Sequence, residues 1–161
     1  MLEFEHIVQV NDLANDNVTD ITRSQLWLGL VLRARNPEKF NPGLECSSRQ
    51  VAKNEFMRTI EVGQTSFCEH VVLYPEDKIR TSTVEDIEQI SAESEARIEE
   101  PEEGYLFVRF RYKRELQKGD VIEDGVDVGE HLKAAYVQVD RDAVAMIRML
   151  AESKLFDQLI S

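Results

Sequence analysis

The side chains best placed to do chemistry are Arg58 and Glu69, which lie on two stretches joined by the hairpin signal Gly63-Gln64. A two-residue loop with glycine at positive φ fixes the strand register, and it predicts that Arg58 faces Glu69 on a mostly apolar face. Two charges on such a face are costly unless they pair and find further hydrogen bonds. The sequence leaves open a structural salt bridge, an anchor for a ligand carboxylate, phenol or carbonyl, and a pattern shifted so that both point outward.

Three further polar side chains fall on predicted inward faces, namely His6, Tyr112 and Tyr136. A lone histidine in an apolar row is either a hydrogen-bonded core residue or a pocket acid or base that titrates near neutrality. The two tyrosines carry hydroxyls that need partners when buried, so they either pack in the core or contact a ligand.

Other catalytic and cofactor patterns are weak. Cys68 and His70 point the same way from one strand, but no third group orients the histidine, which disfavours a Cys/His nucleophile. The histidines are scattered without HxxxH or CxxC spacing, and no glycine-rich phosphate loop is present. The sequence therefore predicts no metal and no cofactor.

Length and composition indicate one globular domain over residues 1–161, with 42% hydrophobic and 31% charged residues. The formal net charge of −12 disfavours binding to nucleic acid and to anionic membrane surfaces. No apolar run reaches the roughly 20 residues of a membrane span, and the N-terminus lacks the pattern of a signal peptide. These features predict a cytoplasmic protein without membrane insertion, and homodimerisation is left open.

The elements that must position these side chains follow the order strand, two short helices, about six antiparallel strands and a long helix, which predicts an α+β fold. The first strand alternates over Leu2 to Val10, and Thr22 with Gln25 forms a capping box for the first helix. Asn36-Pro37 opens a short second helix, and the strands follow from Cys46 to Glu115. A loop over Gln117 to Gly125 leads to the long helix.

The long helix is predicted from Asp127 to about Glu152, with Asp127 and Glu130 as a capping box. Its inward positions, spaced by threes and fours, are predicted to be Val128, Leu132, Tyr136, Val139, Ala143, Met146 and Leu150. Large residues mix with small ones on this face, Ala135 among them, so the helix could leave space as well as fill it.

The acidic stretch Glu85 to Glu99 alternates only weakly, which predicts a long, mostly solvated strand. We expect its glutamates, with those up to Glu103, to form a charged exposed edge that discourages aggregation. Pro101 to Gly104 is predicted to turn the chain.

Several stretches carry a resemblance to a known family. They are Leu2–His6, Thr22–Leu30, Asn36–Phe40, the hairpin from Phe56-Met57-Arg58 to Glu69-His70-Val71, Ala135–Asp142 and Ile147-Arg148. Taken together, the chain resembles the AtaL-like family of the SRPBCC superfamily, which includes START and birch-pollen-allergen proteins. The resemblance implies a helix-grip fold, in which a curved antiparallel sheet wraps around a long C-terminal helix and encloses a hydrophobic cavity.

The favoured hypothesis is a protein that binds a small hydrophobic or aromatic molecule in this cavity. The polar candidates are His6, Arg58, Glu69, Tyr112 and Tyr136, and the apolar walls are Phe4, Phe56, Ile60, Phe67, Val108, Phe110 and Met146. One alternative is a cyclase or dehydratase in which His6 or Glu69 moves protons while Arg58 or a tyrosine steadies an enolate. Another is a protein-interaction module with a closed core. The residues alone name no catalytic group.

Overall fold

The computed structural model describes residues 2–84, 91–115 and 128–153. The strands are β1 Leu2–Gln9, β2 Leu44–Ala52, β3 Glu55–Val62, β4 Thr65–Tyr74, β5 Lys78–Thr83, β6 Ala92–Glu102 and β7 Tyr105–Arg114. The helices are α1 Arg23–Arg35 and α2 Val128–Glu152, with a 3₁₀ turn over Pro37–Lys39.

The seven strands form one antiparallel sheet in the order β1-β7-β6-β5-β4-β3-β2. The sheet curves around α2, and a core of apolar side chains occupies part of the space between the sheet and the two helices. The predicted α+β helix-grip architecture is confirmed. No helix in the described part of the chain has the length and apolar character needed to cross a membrane.

The register predicted from the hairpin is also confirmed. Gly63 has a φ of 60°, and Val62 pairs with Thr65 across the turn. Arg58 stands opposite Glu69 four residues further from the turn, as the two-residue loop requires.

The start of α1 follows the predicted capping chemistry. The Thr22 hydroxyl accepts from the Gln25 backbone N–H at 3.0 Å, and the Gln25 side chain accepts from the Thr22 N–H at 2.8 Å. Pro37 occupies the first position of the 3₁₀ turn, where its missing N–H costs nothing. The predicted starts of the first two helical segments are therefore present.

Strand β6 corrects two predictions about the acidic stretch. It spans Ala92–Glu102 and lies between β5 and β7, so its glutamates do not form a sheet edge. Positions 85–90 of the predicted strand lie outside the described residues. The side chain of Glu95 is only 14% exposed, because Arg80 and Arg111 of the flanking strands approach it on the outward face. The strand continues through Pro101 to Glu102, with a bulge after Glu99 that places the proline outside regular pairing.

Helix α2 buries a face that only partly matches the one predicted from its apolar spacing, because Ala143 is buried as predicted and other positions are not. Val139 is 50% exposed and Ala135 is exposed, so the prediction that they point inward is wrong. The buried stripe consists of Asp140, Ala143, Val144, Ile147 and Ala151. The Asp127 cap, the Val128 side chain and the loop at 117–125 lie outside the described residues.

The rotation of α2 is set where it crosses α1 at Gly29. A Cβ added to Gly29 would lie 2.4 Å from Cγ2 of Ile147, so only glycine lets the fully buried Ile147 seat there. Asp140 lies two helical turns before Ile147 and therefore faces the same way. Close packing of the two helices thus brings a carboxylate into the core.

Candidate functional site

A cavity of about 440 Å³ lies between the inward face of the sheet and α2. Strands β3 to β7 line it, and Tyr136 of α2 lines it from the helix side. Its apolar surface comes from Ile60, Phe67 and the tyrosine rings, and its polar groups include Arg58, Glu69, Thr81, Thr83 and Ser94. This volume is within the range of roughly 300–1,000 Å³ that is usual for small-molecule sites.

A larger depression of about 710 Å³ crosses mainly the outward face of the sheet. Charged side chains of alternating sign occupy it, and they bind one another: Arg111 Nε donates to Glu5 at 2.9 Å, for example. A surface whose charges are already paired offers little to orient a guest. We therefore place the candidate site in the smaller inward cavity.

The Arg58–Glu69 pair lies on the wall of this cavity. Arg58 Nε and Nη2 approach Oε1 of Glu69 at 2.9 and 2.7 Å, and the two side chains are 13% and 15% exposed. Arg58 Nη1 also donates to the carbonyl of Ala34 in the last turn of α1, at 2.7 Å. Both contacts between Arg58 and Glu69 reach Oε1, and Oε2 of Glu69 accepts no hydrogen bond from any described residue. The pair thus ties the hairpin to α1 and still leaves one carboxylate oxygen for other contacts.

Tyr112 and Tyr136 form the aromatic side of the cavity. Their rings stack with centroids 4.2 Å apart and planes inclined by 14°. The Tyr112 hydroxyl donates to Asp140 Oδ2 at 2.5 Å, whereas the Tyr136 hydroxyl has no hydrogen-bond partner among the described residues. Tyr136 therefore presents a flat ring from the helix side, together with a hydroxyl that no described residue binds.

Behind Tyr112 lies a cluster of polar side chains centred on Asp140, which is 0% exposed. Besides Tyr112, the Oδ2 atom lies 2.6 Å from Nε2 of His6, and Arg33 Nη2 donates to Oδ1 at 2.9 Å. Burial raises the pKa of the Tyr112 hydroxyl above its ordinary value, and the Asp140 carboxylate raises it further. Tyr112 consequently keeps its proton and acts as a hydrogen-bond donor to Asp140.

Asp140 and Arg33 were missed by the sequence reasoning about sites. The available signal was that Asp140 follows Tyr136 by four residues and precedes Ala143 by three, which puts a carboxylate on an apolar helical stripe. A buried carboxylate requires donors. His6 on the facing strand was one candidate for that role.

The predicted polar residues thus divide into two groups. Arg58, Glu69, Tyr112 and Tyr136 all line the cavity. His6 does not line it but joins the Asp140 cluster, where its ring stacks on Phe110 with centroids 5.3 Å apart.

The predicted apolar walls are also spread over more than the cavity. Ile60 and Phe67 line it, and Phe4 stacks on Tyr112 with centroids 5.6 Å apart. Three others belong to the buried core, namely Phe56, Val108 and Phe110. Met146 is half-buried on α2 and is not among the residues that line the cavity.

The cysteines lie on opposite faces of the sheet. Cys46 stands opposite Ile60 near the cavity wall, and burial raises the pKa of its thiol. Cys68 and His70, on the outward face, contact different residues. Thr59 Oγ1 lies 3.4 Å from Cys68 Sγ, and His70 Nε2 lies 3.1 Å from Glu55. Within the described residues, no group of three or more His, Cys, Asp or Glu side chains could hold a metal ion.

Comparison with known proteins gives one family match. The model of a family described as acetylaranotin biosynthesis cluster protein L, or AtaL, matches residues 8–154 of the chain. No curated protein matches the chain.

Several solved structures have a similar fold. The di-domain ARO/CYC StfQ from the steffimycin biosynthetic pathway is 11% identical with a TM-score of 0.72, over 96% of this chain and 51% of that chain. The Zhui aromatase/cyclase from Streptomyces sp. R1128 is 14% identical with a TM-score of 0.62, over 95% of this chain and 94% of that chain. Ara h 8.0201 is 8% identical with a TM-score of 0.60, over 90% and 96%. The chain spans about half the length of StfQ, and identities this low show a shared fold.

Proposed function

Because the chain belongs to the AtaL family of the SRPBCC superfamily, we propose that it binds a small apolar or aromatic molecule in the cavity between the sheet and α2. The observation that carries the proposal is the composition of the cavity wall. Stacked aromatic rings and aliphatic groups provide apolar area, while the Tyr136 hydroxyl and Oε2 of Glu69 retain hydrogen-bonding capacity. A mostly apolar site with a few oriented polar groups is the usual design for such guests.

The positions of the polar groups suggest how a guest would lie. A flat molecule would pack along Phe67 and Ile60 with one edge toward Tyr136, whose hydroxyl can donate to a carbonyl or accept from a phenol. Oε2 of Glu69 only accepts when ionised, so it favours a guest with an O–H or N–H group at the opposite end. The space in the cavity argues against the closed-core interaction module.

The binding function can be tested by native mass spectrometry of gently purified protein. We expect a native mass that exceeds the denatured mass by a few hundred daltons, about the size of a guest for such a pocket. Tyr136→Phe should reduce retention of this mass. Tyr74→Phe is the matched control, because it removes a hydroxyl from an exposed tyrosine outside the cavity.

A second experiment uses the fluorescent apolar probe ANS, which does not depend on a co-purified guest. We expect Phe67→Trp, which adds bulk to the cavity wall, to weaken ANS binding, and we expect Tyr74→Phe to leave it unchanged. Equal native and denatured masses, together with ANS binding that Phe67→Trp does not alter, would contradict the proposal.

A cyclase or dehydratase activity is the second candidate, favoured by the carboxylate oxygen that Glu69 keeps available on the cavity wall. Glu69 would take a proton from a carbon between two carbonyls, and the resulting carbanion would attack another carbonyl of the same molecule. The new carbon–carbon bond leaves an alkoxide, to which the Tyr136 hydroxyl could donate. In the loss of water that follows, protonated Glu69 would give its proton to the departing hydroxyl and the Tyr136 phenolate would take the proton from carbon, which restores both groups. His6, which lies outside the cavity lining, would act only through Asp140 and Tyr112.

The variant Glu69→Gln distinguishes the binding protein from the enzyme. A binding protein should keep its guest with altered affinity and unchanged mass. An enzyme should instead retain an unconverted molecule, heavier by one water than the compound released by the unsubstituted protein.

A further inference from the structure

Strand β2 lies at one end of the sheet. It spans Leu44–Ala52 and pairs with β3 on one side. On its other side, no strand pairs with it in the described part of the chain. Most of its side chains are exposed, and neither proline nor lysine, two common protections of an edge, occurs in it.

The hydrogen bonds of the neighbouring strands show which backbone groups of β2 point outward. The Leu73 N–H donates to the Asn54 carbonyl at 2.7 Å, so even-numbered residues of β3 bond to β4 and odd-numbered ones bond to β2. Thr59 is paired with Ser47, which places the odd-numbered residues of β2 in bonds to β3. The N–H and C=O groups of Cys46 and Ser48 therefore point away from the sheet.

The charges on β2 are self-complementary. Glu45 and Arg49 are exposed on the outward face, two residues on either side of Ser47. If a second copy pairs antiparallel about Ser47, each Glu45 faces Arg49 of the other copy, and the two Ser47 residues face each other. A shift of the centre to Cys46 or Ser48 would lose both charge pairs.

We propose that β2 is a homodimer interface, in which two copies of the chain join their sheets edge to edge with Ser47 on the two-fold axis. Cys46 of each copy then exchanges backbone hydrogen bonds with Ser48 of the other. The Glu45–Arg49 pairs fall at non-hydrogen-bonded positions, where side chains approach most closely. The interface is isologous, as a two-fold dimer requires.

The opposite edge of the sheet lacks this complementarity. The outward face of β1 carries Glu3 and Glu5, which would meet like charges in a second copy. Both glutamates are also within reach of cations on β7, since Lys113 Nζ lies 3.7 Å from Glu3. An edge-to-edge contact is small, and each copy carries a net charge of −12, so the dimer should form reversibly at high protein concentration.

Disulfide trapping tests the register. In the background Cys46→Ser/Cys68→Ser, Ser47→Cys should crosslink two copies on mild oxidation, because non-hydrogen-bonded partners have Cα atoms about 4.5 Å apart, within the range for a disulfide. Ser48→Cys is the matched control on the same exposed strand and should crosslink far less. Equal or greater crosslinking at position 48, or none at position 47, would overturn the proposed register.

Charge exchange tests the interface without cysteines, with sedimentation velocity over a range of protein concentrations as the readout. Arg49→Glu should weaken self-association about tenfold or more, because two attractive pairs become repulsive. The double variant Glu45→Arg/Arg49→Glu should restore it. Circular dichroism checks folding of both. A chain that stays monomeric throughout, or a dimer that Arg49→Glu leaves intact, would overturn the proposal, even if the native chain pairs with a foreign peptide.

Discussion

Two ionic groups on the inward side of the sheet are built differently and leave different amounts of hydrogen-bonding capacity. The Arg58–Glu69 pair joins adjacent strands of one hairpin, and its side chains are 13% and 15% exposed. The cluster around Asp140 joins α2 to α1, β1 and β7, and Asp140 is fully buried. Glu69 keeps one oxygen without a partner among the described residues, whereas both oxygens of Asp140 are engaged.

Because of this difference, the Arg58–Glu69 pair can contact a bound guest, whereas the Asp140 cluster supports the residues around the cavity. A carboxylate with an open oxygen on a cavity wall can bind or deprotonate a ligand at little structural cost. A carboxylate with three donors has no such freedom, and removing it would strand those donors in the interior. We therefore assign guest contact to Glu69, and support of Tyr112 and of the helix packing to Asp140.

The largest expected effect in this comparison comes from Asp140→Ala. Loss of the central carboxylate leaves His6, Arg33 and Tyr112 without their shared acceptor, so the free energy of unfolding should fall by about 3–5 kcal/mol. Urea denaturation followed by circular dichroism measures the change. Asp142→Ala, at an exposed site on the same helix, is the control and should change little. A loss below about 1 kcal/mol in Asp140→Ala would show that the cluster does not hold the fold together.

Substitutions in the Arg58–Glu69 pair should lower the stability less than those at Asp140, and apolar residues should be able to replace the pair. Arg58→Ala should lower the free energy of unfolding by about 1.5–3 kcal/mol, the value of hydrogen bonds to charged groups. Arg58→Met/Glu69→Leu should recover most of this loss, because apolar residues of similar size can replace a buried pair. The same double variant should lose the polar contacts of the guest. If Arg58→Met/Glu69→Leu is as unstable as Arg58→Ala, the fold requires the Arg58–Glu69 pair, as it is expected to require the Asp140 cluster.

The sequence allowed the first of these groups to be predicted and not the second, for a physical reason. Arg58 and Glu69 are 11 residues apart, and one two-residue turn fixes their pairing. Asp140 meets His6 across 134 residues, and that contact depends on the rotation of α2. Apolar residues recur in α2 every three or four positions, and this spacing fits two overlapping apolar stripes. One stripe passes through Val139 and the other through Ile147, and the spacing alone does not decide which of them faces the core.

The choice between these stripes comes from packing. Ile147 seats against Gly29 of α1, a contact between helices that no local pattern contains. The same limit explains the acidic strand β6. The sequence alone indicates that its glutamates lie on an exposed edge, because the arginines of β5 and β7 that approach them are distant in the chain.

Alkaline pH should expose the contribution of Tyr112 to the Asp140 cluster. Its folded pKa is raised by burial, so the folded state keeps a proton that the unfolded state loses above its ordinary pKa of about 10. Stability from this group is therefore present below pH 10 and declines above it, by about 1.4 kcal/mol at pH 11. Tyr112→Phe removes that term. The stability difference between the unsubstituted protein and Tyr112→Phe should thus shrink from pH 9 to pH 11, and a constant difference would contradict the assignment.

The smallest effect is a change in the reactivity of Cys46, which reports on the Arg58–Glu69 pair and not on the Asp140 cluster. Burial raises the pKa of this thiol, the Arg58 charge opposes that rise, and the Glu69 charge adds to it. In a Cys68→Ser background, the pH midpoint of iodoacetamide labelling should move upward in Arg58→Gln and downward in Glu69→Gln. Asp140→Asn should leave it unchanged, because Asp140 is not among the groups that influence the thiol. Altered access would change the labelling rate at every pH without moving the midpoint, so a shift in opposite directions for the two variants can come only from their charges. Identical midpoints in all the variants would contradict the prediction that the Arg58 and Glu69 charges influence the Cys46 thiol.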